Sequence, residues 1–241
     1  MEIIGSGFMA RHLRPLHDAH PQYTVLAAGV PRQQLPDSEH EREARLVRDA
    51  VEHCRRQDRR LVFFSTASMY GSPGCRGRED APVVPSNRYG RHKLDLESAI
   101  RGSGVRHLIL RLGYVLGPHG PDFRLIPSMI RQIRAGRVRI YRGARRDILH
   151  VSDFVAILDR LLSAKISEEV VNVASGDCAD VAGMVAHIER CLGVTAEHLV
   201  VGEEHTSHCP STEKLRTLLP EVAFEPGYHR RAIERYLAET E

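Results

Sequence analysis

The chain has 241 residues, enough to bury a substantial core and placed between one large domain and two small ones. Its 34 basic and 31 acidic residues leave a formal net charge of +3, too balanced to argue for a nucleic-acid partner. Apolar runs fall short of the roughly 20 residues of a membrane span, and the start lacks a charged region followed by a long hydrophobic segment, so a cytoplasmic protein is expected.

In chain order, Met1-Glu2-Ile3-Ile4 reads as a short strand, followed by Gly5-Ser6-Gly7-Phe8-Met9-Ala10 and a helical stretch over residues 11–19. The G-x-G-x-x-A spacing after a strand and before a helix is a dinucleotide fingerprint. Glycines permit the tight turn and the close approach of a pyrophosphate to the helix amino terminus. An acidic residue to hold the adenosine ribose is expected about 20 positions further on. None occurs between Ala19 and Pro36; an apolar strand over residues 23–30 stands there instead. Residues 41–57 carry Ala44, Val47, Ala50, Val51 and Cys54 at helical spacing, with the other face charged.

Leu61-Val62-Phe63-Phe64 is a strand that runs into Ser65, Thr66 and Ser68 at its carboxyl end, the edge where open α/β sheets bind ligands. A Gly- and Pro-rich loop over residues 71–86 leads to a helix bearing Tyr89 and Lys93. Positions i and i+4 share a helix face, so an ammonium sits beside a phenol. A free phenol titrates near pH ~10, and proton exchange near neutrality needs about 3 units removed. One cation supplies about 1–3 of them, so a second positive group such as an oxidised nicotinamide is implied. Thr66 is then placed to hold the oxygen of an alcohol or ketone whose proton Tyr89 moves.

Further along, residues 105–112 form a buried strand, 123–135 a helix, 154–164 a second helix, and 169–176 a strand and turn. The basic stretch 138–153 offers Arg142, Arg145 and Arg146 either to a phosphate or to a solvated basic hairpin. A helix over 181–192, a strand over 198–201, a helix opening near Ser211 and a last helix from about Tyr228 complete the chain. Cysteines at 54, 75, 178, 191 and 209 are odd in number and follow no C-x-x-C spacing, which predicts a reduced compartment rather than a disulfide framework. His205, His208 and Cys209 offer no fourth ligand at characteristic spacing, so no metal is expected.

The S-T-x-x-x-Y-G strand end, the Y-G-x-x-K helix start, Arg111-Leu112-Gly113-Tyr114-Val115-Leu116-Gly117-Pro118, Arg146-Asp147 with Val151 and Asp153, and Asn172-Val173-Ala174-Ser175-Gly176 together resemble the extended short-chain dehydrogenase/reductase family. That group includes nucleotide-sugar epimerases, ketoreductases and dehydratases. The resemblance implies an α/β fold: a Rossmann-type parallel sheet lacking the usual second and third strands, with a small C-terminal α/β substrate lobe. The cofactor domain would span residues 1–112 and 148–174, and the lobe 113–147 and 175–241. It implies Thr66, Tyr89 and Lys93 as catalytic residues. Gly5, Ser6, Gly7, Phe8, Met9, Ala28, Gly29 and Lys93 would bind NAD or NADP, with Arg11 or Arg32 available to a 2′-phosphate. Arg146, Tyr114 and Ser68 would bind a nucleotide-linked sugar, while Arg111 would be a buried anchor for backbone carbonyls. A homodimer through the 41–57 helix and the Tyr89 helix is implied as well. Sugar dehydratases of the family place an Asp-Glu pair directly after the Thr, where this chain has Ala67 and Ser68, so reduction or epimerisation is expected. The competing expectation is a non-catalytic binding or regulatory protein that keeps the fold with an impaired cofactor site. An esterase use of Ser65 or Ser68 lacks any G-x-S-x-G elbow.

Overall fold

The computed structural model describes residues 1–29, 36–71, 75–202 and 207–240. In chain order the elements are β1 (Glu2–Ile4), α1 (Phe8–His12), β2 (Tyr23–Leu26), α2 (Asp37–Arg56), β3 (Arg60–Thr66), α3 (Arg88–Arg101), β4 (His107–Leu112), β5 (Tyr114–Leu116) and α4 (Leu125–Arg134). These are followed by β6 (Arg137–Tyr141), β7 (Arg145–His150), α5 (Val151–Ser163), β8 (Glu169–Val173), β9 (Cys178–Asp180), α6 (Val181–Leu192), β10 (Glu197–Val201), α7 (Glu213–Leu218) and α8 (Tyr228–Thr240).

Strands with apolar residues on both faces demand cover on both sides, which a parallel sheet between two helical layers supplies. Among the described residues that sheet runs β1-β2-β3-β4-β8, every neighbouring pair parallel. The period-2 alternation sends Leu61 and Phe63 to one face, against Val47, Ala50 and Val51 of α2 and Leu96 and Ile100 of α3. Val62 and Phe64 go to the other face, among Phe8 of α1 and Phe154, Ile157 and Leu158 of α5. Each such side chain contributes about 1.5–3 kcal/mol by leaving water.

The direct pairing of β1 with β2 agrees with the absence of the usual second and third strands. It also forces an unusual connection. The steps β1-α1-β2 and β2-α2-β3 move the same way across the sheet, yet α1 and α2 lie on opposite faces, so the two crossovers have opposite hands. Such crossovers are right-handed in about 98 % of cases, because a full helix packs back onto a twisted sheet only that way. The α1 connection is the one without a full helix. The helix expected over 11–19 ends at His12 and gives way to a 3-10 turn at Arg14–Leu16, where Pro15 can neither donate a backbone hydrogen bond nor clear the preceding turn. The strand expected over 23–30 likewise stops at Leu26.

In the second lobe β5 pairs with β7 in parallel, β7 pairs with β9 antiparallel, and β6 pairs with β10 in parallel. The basic stretch is therefore no hairpin: β6 and β7 belong to different sheets. Arg146 of β7 is flanked by Ala179 of β9 on one side and by a bridge to His208 on the other. This brings Cys178 and Cys209, 31 positions apart, to a Cα separation of 5.5 Å, where they form a disulfide. The expectation of a chain without disulfides is thus corrected. Residue spacing held no sign of a pairing made through a third strand. Among the described residues, no helix is long and apolar enough to cross a membrane.

Arg111 of β4 is a buried anchor, but for a carboxylate rather than for backbone carbonyls. Its Nη2 lies 2.7 Å from Glu97 Oε2 of α3 and its Nη1 donates to the Tyr70 hydroxyl at 2.7 Å. Tyr70 donates in turn to Asn172 Oδ1 of β8, and Ser65 donates to Glu97. The net ties α3, β3, β4 and β8 together. Glu97→Ala strands a buried guanidinium and is expected to lower the unfolding free energy by about 3–5 kcal/mol in a urea titration. Combining it with Arg111→Met should cost less, since no charge is then left alone.

Candidate active site

Thr66 ends β3 and caps the 3-10 turn Ala67–Tyr70: the Ser68 N–H donates to Thr66 Oγ1 at 3.1 Å, and the Thr66 hydroxyl donates to Ser68 Oγ at 2.9 Å. Two hydroxyls are thereby held together at the strand end. Asn87 starts α3, its Oδ1 accepting the Gly90 N–H at 2.8 Å. Gly90 is required by space: an added Cβ would stand 2.9 Å from Pro85 Cβ and 3.3 Å from Met69 Cα. The first turn of α3 can thus abut the turn after Thr66, which brings Tyr89 to the strand end. Lys93, one turn on, is buried; its Nζ donates to the Phe64 carbonyl at 3.1 Å and lies 5.9 Å from the centre of the Tyr89 ring.

Across the sheet, Gly5 takes φ +131°, and a Cβ there would meet the Ala27 carbonyl oxygen at 2.7 Å. Only glycine turns the chain so tightly against β2. Gly7 caps α1 without any side-chain hydrogen bond, and a Cβ there would meet nothing within 4 Å. Between this turn and α3 lies a cleft of about 1440 Å³. Clefts of about 300–1,000 Å³ hold drug-sized molecules, so there is room here for two ligands. Its location follows from the fold: β1 and β2 send their chains to opposite faces, which leaves the carboxyl edge open between them.

Gly7, Phe8, Met9, Ala28, Gly29, Thr66, Ser68, Tyr89, Lys93, Tyr114 and Arg146 all line this cleft. Gly5 and Ser6 are not part of its lining; Gly5 shapes the turn from behind. Arg11 is exposed and donates to the His119 carbonyl at 2.9 Å, away from the lining. Arg32 and His205 lie outside the described residues, and Cys209 is bridged. At the second-lobe end Arg146 is buried, its Nε 3.3 Å from the Tyr114 hydroxyl and its guanidinium 5.7 Å from the Tyr114 ring centre. Its neighbour Asp147 turns the other way. It accepts the Ser175 N–H and hydroxyl, both at 2.8 Å, and the Gly176 N–H at 2.7 Å, while burial still pushes its carboxyl up to about 6. Arg145 donates outward to the Cys178 carbonyl.

Sequence reasoning missed several charged cleft residues. Arg124 sits 5.0 Å over the Phe8 ring, with Nη1 on the Val115 carbonyl. Arg137 and Arg139 of β6 line the second-lobe end. Glu43 of α2, fully buried, places Oε1 2.6 Å from Lys93 Nζ and Oε2 3.0 Å from His92 Nε2. Its signal was available, since Glu43 falls on the same stripe as Val47, Ala50, Val51 and Cys54, and a carboxylate on a buried stripe needs a cation.

These charges set the protonation states. Burial would raise Glu43, but His92 and Lys93 outweigh it and hold the carboxyl at about 2. Burial would discharge Lys93; the Tyr89 and Glu43 oxygens reverse this and keep it an ammonium. For Tyr89, burial raises the pKa, Lys93 lowers it and Glu43 raises it again, so the phenol in the protein alone lies above its ordinary value. The expected depression by Lys93 is therefore present but outweighed.

A dinucleotide fits two parts of this lining. The bare turn before α1 is a cradle for a pyrophosphate, and the Tyr89–Lys93 end is open to a ribose and ring. The third part, an acid for the adenosine ribose at the end of β2, is missing; the Glu39–Arg42 pair of α2, 2.9 Å apart, borders the cleft instead.

The family model described as "NAD dependent epimerase/dehydratase family" matches residues 10–174. UDP-glucose 4-epimerase 2 of Arabidopsis thaliana is 32% identical over 165 residues, covering 55% of this chain and 47% of its own. The chain thus spans about half the length of the curated relatives it matches. A crystal structure of UDP-galactose 4-epimerase superposes with a TM-score of 0.83 at 19% identity over 99% of this chain and 98% of that one. RMD from Pseudomonas aeruginosa complexed with NADPH superposes at 0.81, with 20% identity over 98% and 97%.

Pairing of Glu43 in the folded state makes stability depend on pH. Its folded pKa is lowered, so the stabilisation is complete above about 4.5 and is lost as pH falls through about 2. Denaturant titrations should show a loss of about 3 kcal/mol across that window, absent from Glu43→Gln.

Proposed function

We infer, for a chain that belongs to the NAD dependent epimerase/dehydratase family, an NAD(P)-dependent oxidoreductase acting on the keto or hydroxyl carbon of a nucleotide-linked sugar. The observation that carries this reading is the meeting of Thr66, Ser68, Tyr89 and Lys93 with the glycine turn in one cleft large enough for two ligands. When bound, a nicotinamide supplies hydride exchange with the substrate carbon. Residues 7–9 hold the pyrophosphate with bare backbone N–H groups, and Ala28, Gly29 and Lys93 line the ribose path. The Thr66 and Ser68 hydroxyls orient the substrate oxygen. Tyr89 takes its proton during oxidation and returns one during reduction.

Arg146, with Tyr114, grips the substrate's diphosphate from the lobe formed by residues 113–147 and 175–241, a guanidinium matching phosphate oxygens at any working pH. Ala67 follows Thr66 where elimination chemistry needs an acid, which favours ketoreduction or epimerisation over dehydration. The relatives' names support either chemistry and either cofactor form: one is a UDP-glucose 4-epimerase and another a dTDP-6-deoxy-L-talose 4-dehydrogenase (NAD(P)(+)). The reading includes a homodimer built on α2 and α3 and a cytoplasmic location, to which the Cys178–Cys209 bridge is the contrary observation.

A second reading, a binding or regulatory protein on the same fold, is favoured by one feature: no acid follows the glycine turn to hold the adenosine ribose. Calorimetric titration with NADH and NADPH separates the two. Binding of either supports the oxidoreductase, and no heat from either at millimolar concentration leaves it without support. Tyr89→Phe should keep fold and cofactor binding while cutting turnover by about 100-fold or more. Arg146→Ala should raise KM for the nucleotide sugar with cofactor affinity unchanged; the reverse pattern would move the phosphate site elsewhere.

A further inference from the structure

We propose that Glu43 is a positioning residue of the acid–base site: its carboxylate, shared between Lys93 and His92, fixes the lysine ammonium beside Tyr89 and sets how much of that charge the phenol feels. The proposal rests on the assignment of Tyr89 as the proton-exchanging group.

The geometry is that of a built clamp. An ammonium has three donor hydrogens. Lys93 gives one to Glu43 Oε1 at 2.6 Å and one to the Phe64 carbonyl at 3.1 Å, so the third is left for the cleft. The ammonium also lies 4.8 Å from the Phe63 ring centre, and both side chains of the pair are all but removed from water, at 4% and 1% exposure. The second carboxylate oxygen is taken by His92 Nε2 at 3.0 Å, so Glu43 cannot rotate away without stranding a partner. His92 is in turn held edge-on by the His40 ring of α2, 4.5 Å away. Gly29 makes the arrangement possible. A Cβ there would stand 2.6 Å from Glu43 Oε1 and 3.3 Å from Lys93 Nζ, so any larger residue displaces the clamp.

Among the described residues, the charged or titratable groups that act most on the Tyr89 phenol are Lys93 from its own helix, Glu43 from α2, Arg124 from the amino end of α4, and Tyr114 from β5. Lys93 and Arg124 favour the phenolate, whereas Glu43 favours the phenol. Around Glu43 itself stand Lys93 and His92, with His40, Asp37 and Arg88 beyond. The Glu43 carboxylate offsets part of the ammonium's charge, so the phenol is less acidic than Lys93 alone would make it. This keeps the proton on Tyr89, the form that donates to a carbonyl oxygen.

The test reads Tyr89 directly, in the ligand-free protein, from the ζ-carbon NMR shift of isotopically labelled tyrosine, with Tyr89→Phe identifying the resonance. Glu43→Gln, which keeps shape and a hydrogen bond to Lys93, should move the Tyr89 titration to lower pH by about one unit or more. An unmoved titration, or one shifted upward, overturns the proposal and leaves Glu43 as a purely structural partner. If Glu43→Gln does not fold, a second comparison decides. Lys93→Met should raise the Tyr89 titration, and adding Glu43→Gln to it should bring it part of the way back. Coincidence of these two titrations overturns the proposal equally. Neither arm needs cofactor or substrate, so an absence of dinucleotide binding, or a fully active Tyr89→Phe enzyme, would remove the functional reading without touching this measurement.

Discussion

The direct hydrogen-bonded contact of β1 with β2 is the constraint from which the rest of the molecule follows. It removes the strands that ordinarily lie beyond the first one, and with them the place where a ribose-binding acid would sit. Residues 5–22 cross from one strand to its neighbour with α1 cut short ahead of Pro15, and this crossover takes the opposite hand to that of α2. The two neighbouring strands still send their chains to opposite faces. That departure, rather than any reversal of strand order, opens the cleft at the carboxyl edge.

The second organising feature is charge buried in α3. Lys93 and Glu97 stand one turn apart on the same face, a spacing at which they would ordinarily pair with each other. Each is instead paired across to another element, Lys93 to Glu43 of α2 and Glu97 to Arg111 of β4. A buried ion pair stabilises little in net terms, because desolvation offsets the attraction, but each member becomes indispensable to the other. The consequence for α3 is a fixed axial and rotational position. Tyr89 therefore reaches the end of β3 at a set angle, and the same buried ions that seat the helix also bias its phenol. Structure and chemistry share one set of charges here.

The second lobe follows a different logic. Its short strands are joined through β7, which takes β5 on one edge, β9 on the other, and a single bridge from Arg146 to His208. Asp147 faces away from Arg146 and fastens the turn after β8, so consecutive residues serve the cleft and that turn. The Cys178–Cys209 disulfide locks β9 to the segment bearing His208, whose ring lies parallel to that of Tyr114. The Arg146 end of the cleft is thus braced by a covalent bond that lies outside it.

By itself the sequence determined what depends on near neighbours: the period-2 strand at 61–64, the helix stripe at 47–54, the glycine turn, and the phenol and ammonium one helical turn apart. These are local patterns, set by φ and ψ preferences and by which residues share a face. Tertiary structure decided the partners of buried charges and sulfurs. Glu43 meets Lys93 from 50 positions away, Cys178 meets Cys209 through β7, and β6 joins β10 instead of β7. A buried ion is satisfied by whichever opposite charge packing brings within reach, and that depends on how distant helices and strands dock. The spacing of residues along the chain carries no trace of it. For the same reason the sense in which Tyr89 is tuned could not be read from the Y-x-x-x-K spacing: burial and a carboxylate on another helix outweigh the one cation that the spacing reveals.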